Sequence, residues 1–182
     1  MTRRLIFTLA LLLAACSPAL NWRSVPVEGA PLTALLPCKP EQAARTVEFP
    51  GLGPVELSLM GCQADGATFA VSHLRIADAA RAGAVLAQWR AAVLARMQAD
   101  AAAAQDAPFT LPGALALPQS VRSRMAGRAA DGAAVAAQGV WFAQLDGGGA
   151  RLYHAVVYAG NAQRLSAVGD TFFAGLQWQE AR

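Results

Sequence analysis

The fold of this chain is decided by one stretch, residues 55–74, with the sequence VELSLMGCQADGATFAVSHL. Apolar side chains recur at every second position on both sides of its centre, at Val55, Leu57, Leu59, Phe69 and Val71. This alternation is typical of half-buried strands. Asp65-Gly66 lies between the two runs, and Asp-Gly is the strongest short signal for a tight turn between antiparallel strands. The stretch therefore predicts a β-hairpin.

A long helix is predicted directly after this hairpin, from Asp78 to Ala104. Asp78 can serve as its N-cap, because a carboxylate accepts hydrogen bonds from the free amides of a first turn. One apolar stripe at helical spacing is formed by Val85, Leu86, Trp89, Val93, Leu94 and Met97. The segment from Pro108 to Pro118 contains three prolines and is predicted to be a loop.

Further strands are predicted on both sides of these elements, at Leu32–Leu36, Ala43–Phe49, Val121–Arg128, Val135–Leu145 and Leu152–Tyr158. An amphipathic C-terminal helix begins near Asn161, a second N-cap, and carries Leu165, Val168, Phe172 and Leu176. This order predicts an α+β fold. We expect a mostly antiparallel twisted sheet of about six to seven strands, packed with a long central helix and a C-terminal helix.

The N-terminus has the features of an export signal. Two arginines precede an apolar run from Leu5 to Leu13, which is too short to span a membrane and is typical of a secretory signal. Leu13-Ala14-Ala15-Cys16 resembles the lipobox of bacterial lipoproteins. The resemblance implies a lipoprotein signal peptide at 1–15 and fatty acylation, such as by palmitate, at Cys16. An ordinary secretory signal that contains a cysteine is the alternative.

The segment 16–31 contains prolines and a glycine without periodicity, and it predicts a lipidated N-terminus and tether before a single domain at 32–182. Trp22 in this segment could dock on the domain or lie at the lipid interface. Ser17 stands where an aspartate, in well-studied envelopes, retains lipoproteins in the inner membrane. The expected location is therefore the cell envelope, facing the periplasm, with the outer membrane favoured over the inner one.

The remaining cysteines and the charges fit an exported protein. Assignment of Cys16 to lipid leaves Cys38 and Cys62 as an even pair in an oxidising compartment, and we predict a disulfide bond between them. Two separate buried thiols, or a catalytic cysteine, are the alternatives. Loss of Arg3 and Arg4 with the signal would leave 13 of the 15 basic residues against 12 acidic ones. No Lys/Arg-rich run is present, so no nucleic-acid partner is expected.

Parts of the domain resemble the PsbP-like and DcrB-like domains. Residues 35–40, LLPCKP, are similar to their opening F-P-G-K-P motif, with Cys38 in place of the glycine, and residues 67–73, ATFAVSH, are similar to their second strand. Four later segments are also similar to these domains and occur in the same order: Ala126-Gly127, Asp131-Gly132, Arg151-Leu152-Tyr153 and Phe172-Phe173-Ala174-Gly175-Leu176. The similarity extends from about Thr33 to Leu176, and a disulfide with Cys62 would explain the departure at Cys38.

This resemblance implies a twisted antiparallel sheet with helices packed on its faces. It also implies binding or assembly, because the members of these families include photosystem subunits, secretion chaperones and envelope lipoproteins and share no catalytic site. Fold alone does not establish function, so these are expectations.

The sequence lacks the usual arrangements of catalytic residues. Its two histidines, His73 and His154, both lie on predicted strands, and no metal-binding spacing or nucleophile elbow is present. A catalytic triad of Ser72, His73 and a remote aspartate is conceivable, but no spacing in the sequence supports it. The alternative is that both histidines have structural roles on their strands. The glycines at 147–149 predict a flexible turn and not a phosphate-binding loop. We therefore expect no enzymatic activity, cofactor or metal.

One candidate contact surface remains. Arg122, Arg124 and Arg128 have the same parity on a predicted strand and should project from one face. A solvated sheet face explains this pattern. A contact with an anionic partner, such as lipid headgroups or an acidic protein, is the functional alternative.

The expected function is therefore a lipid-anchored, non-enzymatic binding or scaffold module. Its expected partners are the membrane, through the lipid anchor, and an envelope protein whose identity the sequence does not indicate. The alternative is a lipoprotein that binds a small apolar ligand between the sheet and the long helix, near Trp89 and Phe69. A cavity at that position would support the alternative, and a filled interior would contradict it.

Overall fold

The computed structural model describes residues 20–49 and 51–179, which contain ten β-strands and two α-helices. The strands are β1 (Arg23–Pro26), β2 (Leu32–Leu36), β3 (Glu41–Phe49), β4 (Gly53–Ala64), β5 (Ala67–Ile76), β6 (Gln105–Pro108), β7 (Val121–Arg128), β8 (Ala134–Asp146), β9 (Gly149–Ala159) and β10 (Gln177–Trp178). The helices are α1 (Ala82–Arg96), which follows a 3-10 turn at Ala79–Arg81, and α2 (Ala162–Ala174).

The strands form two antiparallel sheets. Seven strands in the order β3-β4-β5-β9-β8-β7-β6 make the main sheet, and β1-β2-β10 make a small one. One face of the main sheet packs against α1, and we call it the α1 face. The other packs against α2 and the small sheet, and we call it the α2 face. The predicted α+β class and antiparallel sheet are confirmed.

Each face of the main sheet has its own hydrophobic core. Side chains on β9 alternate between the two, with Tyr153 and Val157 on the α2 face and Leu152 and Val156 on the α1 face. Since both faces are covered, β9 is apolar and buried along nearly its whole length.

The predicted Asp-Gly hairpin is confirmed as β4–β5. Asp65 and Gly66 have φ values of 48° and 68°, the positive values that a two-residue turn of this kind requires. The register places Cys62 opposite Phe69 and Met60 opposite Val71, so the apolar side chains of both strands reach the same core. The second predicted cap is also confirmed, because the Asn161 side chain accepts a hydrogen bond from the Arg164 amide.

The prediction of a helix from Asp78 to Ala104 is wrong in its extent. Asp78 caps the 3-10 turn, α1 begins at Ala82, and it ends at Arg96. The Met97 carbonyl accepts a hydrogen bond from the Arg128 amide, 2.7 Å away, and Gln98 takes a positive φ of 51°. The chain then turns back and forms β6 on the edge of the sheet, so tertiary pairing overrides the helix propensity of alanine.

The described part of the predicted tether, residues 20–31, is folded. It contains β1, which pairs with β2, and Trp22 packs edge-on against Phe69 with 5.7 Å between the ring centroids. Trp22 therefore docks on the domain. Three strands were not predicted, β1, β6 and β10, and two of these build the small sheet around β2. Within the described ranges, neither helix is long and apolar enough to cross a membrane.

Candidate functional site

The Cys38–Cys62 disulfide is present, as predicted. Cys38 follows β2, and Cys62 lies on β4, with 5.9 Å between their Cα atoms. The bond therefore links the end of β2 in the small sheet to β4 in the main sheet. Strands β3 and β4 form the outer hairpin of that sheet. Closing a loop of this size stabilises the folded state by about 3 kcal/mol in the chain-entropy model. Cys16, the predicted lipidation site, lies outside the described residues.

The three arginines on β7 do not form an open basic patch. The Arg122 guanidinium donates hydrogen bonds to Gln138 and to Asp170 on α2, and it lies 4.8 Å from the centroid of the Phe173 ring. Arg128 donates to the Gly132 carbonyl within its own turn. Arg124 is exposed and has the same strand parity. A contact of these residues with an anionic partner stays a prediction.

His73 has a structural role at the edge of the α2 face. The Arg151 guanidinium donates to its Nδ1 at 3.1 Å, so Nε2 carries the proton and donates to the Glu28 carbonyl at 2.9 Å. Arg151 also pairs with Asp146 at 2.7 Å. Burial is the main cause that lowers the pKa of His73 below its usual 6.5, and the Arg151 charge adds to this effect. Hydrogen bonds at both ring nitrogens hold the imidazole in one orientation.

His154 is buried on the opposite face. Its ring stacks on Trp141 with 4.3 Å between the centroids, and the edge of Trp89 covers it. A Cβ at Gly139 would lie 2.9 Å from the Trp141 ring, so the stack requires glycine there. Burial lowers the pKa of His154 to about 3. Its Nε2 and the Trp141 Nε1 have no hydrogen-bond partner among the described residues.

These positions do not assemble a catalytic dyad. Ser72 and His73 are adjacent on β5, so their side chains point to opposite faces of the sheet. His73 and His154 are likewise on opposite faces. Within the described ranges, no cluster of three or more His, Cys, Asp or Glu side chains is placed to hold a metal ion.

The site proposed for an apolar ligand is not assembled either. Trp89 lies on the α1 face, whereas Phe69 lies on the α2 face. Trp89 is 7% exposed and is packed between Phe49 and His154. The two largest side chains invoked for that ligand therefore cannot line one cavity.

Two clefts border β3 instead. The first has a volume of about 330 Å³ and lies on the α2 face, between the β1–β2 loop and the outer hairpin. Its lining includes Glu28, Ala44, Glu56, Met60 and His73. The second has a volume of about 680 Å³ and lies near the disulfide, where its lining includes Lys39, Glu41, Ala43, Leu59 and Phe69. Both open beside the same outer strand.

The described acidic residues fall into two groups, aspartates with partners and glutamates without them. Every described aspartate is engaged: Asp65, Asp106, Asp146 and Asp170 form ion pairs, and Asp78, Asp100 and Asp131 accept hydrogen bonds from backbone amides. The four described glutamates are Glu28, Glu41, Glu48 and Glu56. None of their carboxylates forms an ion pair or hydrogen bond within residues 20–49 and 51–179, and all lie on or beside β3 and β4.

This grouping is the feature that sequence reasoning missed. The four glutamates fall within residues 28–56, which is visible in the sequence. Their role depends on the position of β3 at the edge of the sheet. The order of the strands in the sheet is not visible in the sequence. Comparison of the sequence with models of protein families and with the curated proteins finds no match.

Proposed function

We propose that this chain is a lipoprotein of the bacterial cell envelope, anchored through Cys16 and facing the periplasm, that binds or scaffolds another envelope protein without enzymatic activity. The lipobox-like sequence and Ser17 motivate the anchor and the outer-membrane location. The Cys38–Cys62 bond supports export, because disulfides persist in oxidising compartments such as the periplasm. A PsbP-like fold is part of the same proposal, supported by the antiparallel sheet with a helix on each face.

An anchor at Cys16 would hold the folded domain close to the membrane. Leu20, the first described residue, already packs against the core on the α2 face. A chain spans at most about 3.5 Å per residue, so the reach from Cys16 to Leu20 is about 14 Å. The proposed lipoprotein is therefore a domain resting near the lipid surface, with no long tether.

The binding role rests on one observation, an outer strand of the main sheet whose free edge no other described element covers. Of the nine residues of β3, only Val47 and Phe49 are not exposed. Its neighbour β4 carries Leu59, a large apolar side chain that is 44% exposed. An exposed strand edge with apolar and unpaired charged groups beside it is a typical protein-binding surface. The small-ligand alternative has no comparable support, because Trp89 and Phe69 lie on opposite faces.

Cell fractionation tests the anchor. The Cys16→Ala variant should move from the membrane fraction to the soluble periplasm and keep its Cys38–Cys62 bond, since the anchor lies outside the folded domain. The double variant Cys38→Ser/Cys62→Ser is the matched control and should stay with the membrane. Unchanged fractionation of Cys16→Ala would overturn the lipoprotein assignment.

Crosslinking in intact cells, followed by purification from membranes and mass spectrometry, tests the binding role. A specific envelope protein should be captured with the natural chain and lost with Cys16→Ala. If nothing is captured above that control, the scaffold role is wrong, and a search for a bound small molecule becomes the next step.

A further inference from the structure

We propose that β3 binds an extended, basic segment of a partner protein, which adds to the main sheet as an eighth strand. This proposal names the partner class for the binding role above and rests on that role. The contact itself includes no part of the lipid anchor, because β3 lies within the folded domain; in cells the anchor is needed to hold β3 at the membrane beside its partner.

The backbone of β3 is suited to strand addition. β3 has nine residues and no proline, and among the described residues its one partner strand is β4. An outer strand presents a row of N–H and C=O groups that an extended peptide can pair with. The opposite edge of the sheet is less suitable, since β6 has only four residues and ends at Pro108. Of the two edges of the main sheet, β3 is the one long enough for a full strand.

Charge at this edge selects a basic partner. Glu48 and Glu56 have the parity that places them on the α2 face, and Glu28 lines the first cleft together with Glu56. Their carboxylates are unpaired within the described residues. Successive side chains of an added strand point to alternate faces. Lysine or arginine at every second position of the partner would therefore meet this acidic side.

The other face of the same edge is less acidic and carries more apolar groups. Ala43 and Val47 lie on the α1 face of β3, opposite Leu59 and Val55 of β4, with the exposed Arg45 between them and Glu41 at the start of the strand. Apolar side chains at the alternate positions of the added strand would pack against this row and cover Leu59. The expected partner segment thus alternates basic and apolar residues over about nine positions, the length of β3.

A second copy of this chain is a poor occupant. Its own β3 would bring Glu48 and no cation to the α2 face, where Glu28 and Glu56 already lie. Like charges on neighbouring strands are destabilising. The acidic side chains therefore disfavour pairing between identical edges and favour a partner of opposite charge.

Two capped peptides of about nine residues, one alternating lysine and valine and one alternating glutamate and valine, test this proposal with the purified mature domain. Nuclear magnetic resonance should show shift changes from the lysine peptide concentrated in the β3 amides, with slowed hydrogen exchange at alternate residues. The glutamate peptide should bind at least about tenfold more weakly. Shift changes centred on another surface, or equal binding of both peptides, would overturn the proposal.

Variants of the glutamates on the α2 face provide a second test of the proposal. Glu28→Gln/Glu56→Gln should weaken the lysine peptide about fivefold and reduce its salt dependence. Asp131→Asn is the control, because it removes one charge at the distant β7–β8 turn and keeps a side-chain acceptor for the Ala133 amide. The double variant removes two charges and the control one, so equal losses of binding free energy per removed charge would show that only net charge matters, which contradicts a site at β3.

The outcomes separate the two proposals. If cells yield a specific partner but it does not contact β3, strand addition is wrong and the binding role stands. If cells yield no partner, the binding role itself is wrong, whatever the peptides do.

Discussion

The two halves of the main sheet use the same architecture for opposite purposes. Nearly all of β9 and the central part of β8, residues 137–143, are buried, because α1 covers one face and α2 with the small sheet covers the other. In β3 most side chains are exposed, and no strand within residues 20–49 and 51–179 pairs with its outer edge. Aspartates in the domain pair with arginines or cap turns, whereas the glutamates beside β3 are unpaired within the described residues. We infer that one half provides stability and the other provides the binding surface.

Truncation of a core aromatic residue should show this contrast most strongly. Phe142 on β8 is fully buried and stacks on Tyr153 at 4.9 Å, so Phe142→Ala should cost about 3–5 kcal/mol. Leu59→Ala in the outer hairpin should cost less than about 1 kcal/mol, because Leu59 is 44% exposed. Urea unfolding measures both values. Similar losses would mean that the outer hairpin belongs to the same core.

Proline at two adjacent positions tests the free edge of β3. In an antiparallel pair, successive N–H groups point alternately to the partner strand and away from it. One of Ala43→Pro and Ala44→Pro should therefore break a β3–β4 hydrogen bond and cost about 2–3 kcal/mol, and the other should cost less than about 1 kcal/mol.

The tolerated variant of this pair is the informative one. It should unfold at nearly the natural temperature and still lose binding of the lysine–valine peptide, since it lacks one outward donor. Strong destabilisation by both prolines would show that the outer edge of β3 is not free.

Low pH should lower the stability of the half of the main sheet that contains β8 and β9, because His154 is buried there. The pKa of His154 is about 3 in the folded protein and 6.5 as its usual value, so the unfolded chain binds the extra proton between these pH values. The contribution of His154 to stability is therefore fully present well above pH 6.5 and is lost as the pH drops towards 3, by up to about 1.4 kcal/mol per pH unit. His154→Phe should give a shallower slope in unfolding measurements from pH 7 to pH 5. An unchanged slope would show that His154 does not contribute.

The smallest expected effects concern the two kinds of acid. Asp170→Asn removes the partner of Arg122 and should cost about 0.2–1 kcal/mol, because Asp170 is largely exposed. Glu56→Gln removes a carboxylate without a partner among the described residues and should change stability by less than about 0.5 kcal/mol. A larger loss for Glu56→Gln would contradict the assignment of the glutamates to binding.

Local signals in the sequence predicted those elements that local geometry decides. Asp65-Gly66 specifies its turn because both residues adopt positive φ, and the Asn161 cap depends only on the amide of Arg164. The end of α1 could not be predicted, because the hydrogen bond between Met97 and Arg128 joins distant segments. β1 and β10 are too short to show a period.

The candidate site was less predictable than the fold. The Cys38–Cys62 pairing followed from the even number of cysteines that remain after Cys16. For the arginines on β7, the sequence indicated only that they share one face of a strand, and the structure shows that Arg122 donates a hydrogen bond to Asp170. Whether a strand lies at an edge depends on the order of all strands in the sheet. The role of the glutamates beside β3 could therefore be recognised only from the topology.

Site-specific photo-crosslinking in intact cells shows whether β3 is the surface that contacts the partner. A photoreactive residue would be placed at Ala44 on β3 or, as the matched control, at Ala92 on the exposed side of α1. We expect a specific crosslink from position 44 to an extended basic segment of an envelope protein, and none from position 92. Crosslinks from position 92 alone would contradict it, as would their absence at position 44 when whole-protein crosslinking captures a partner.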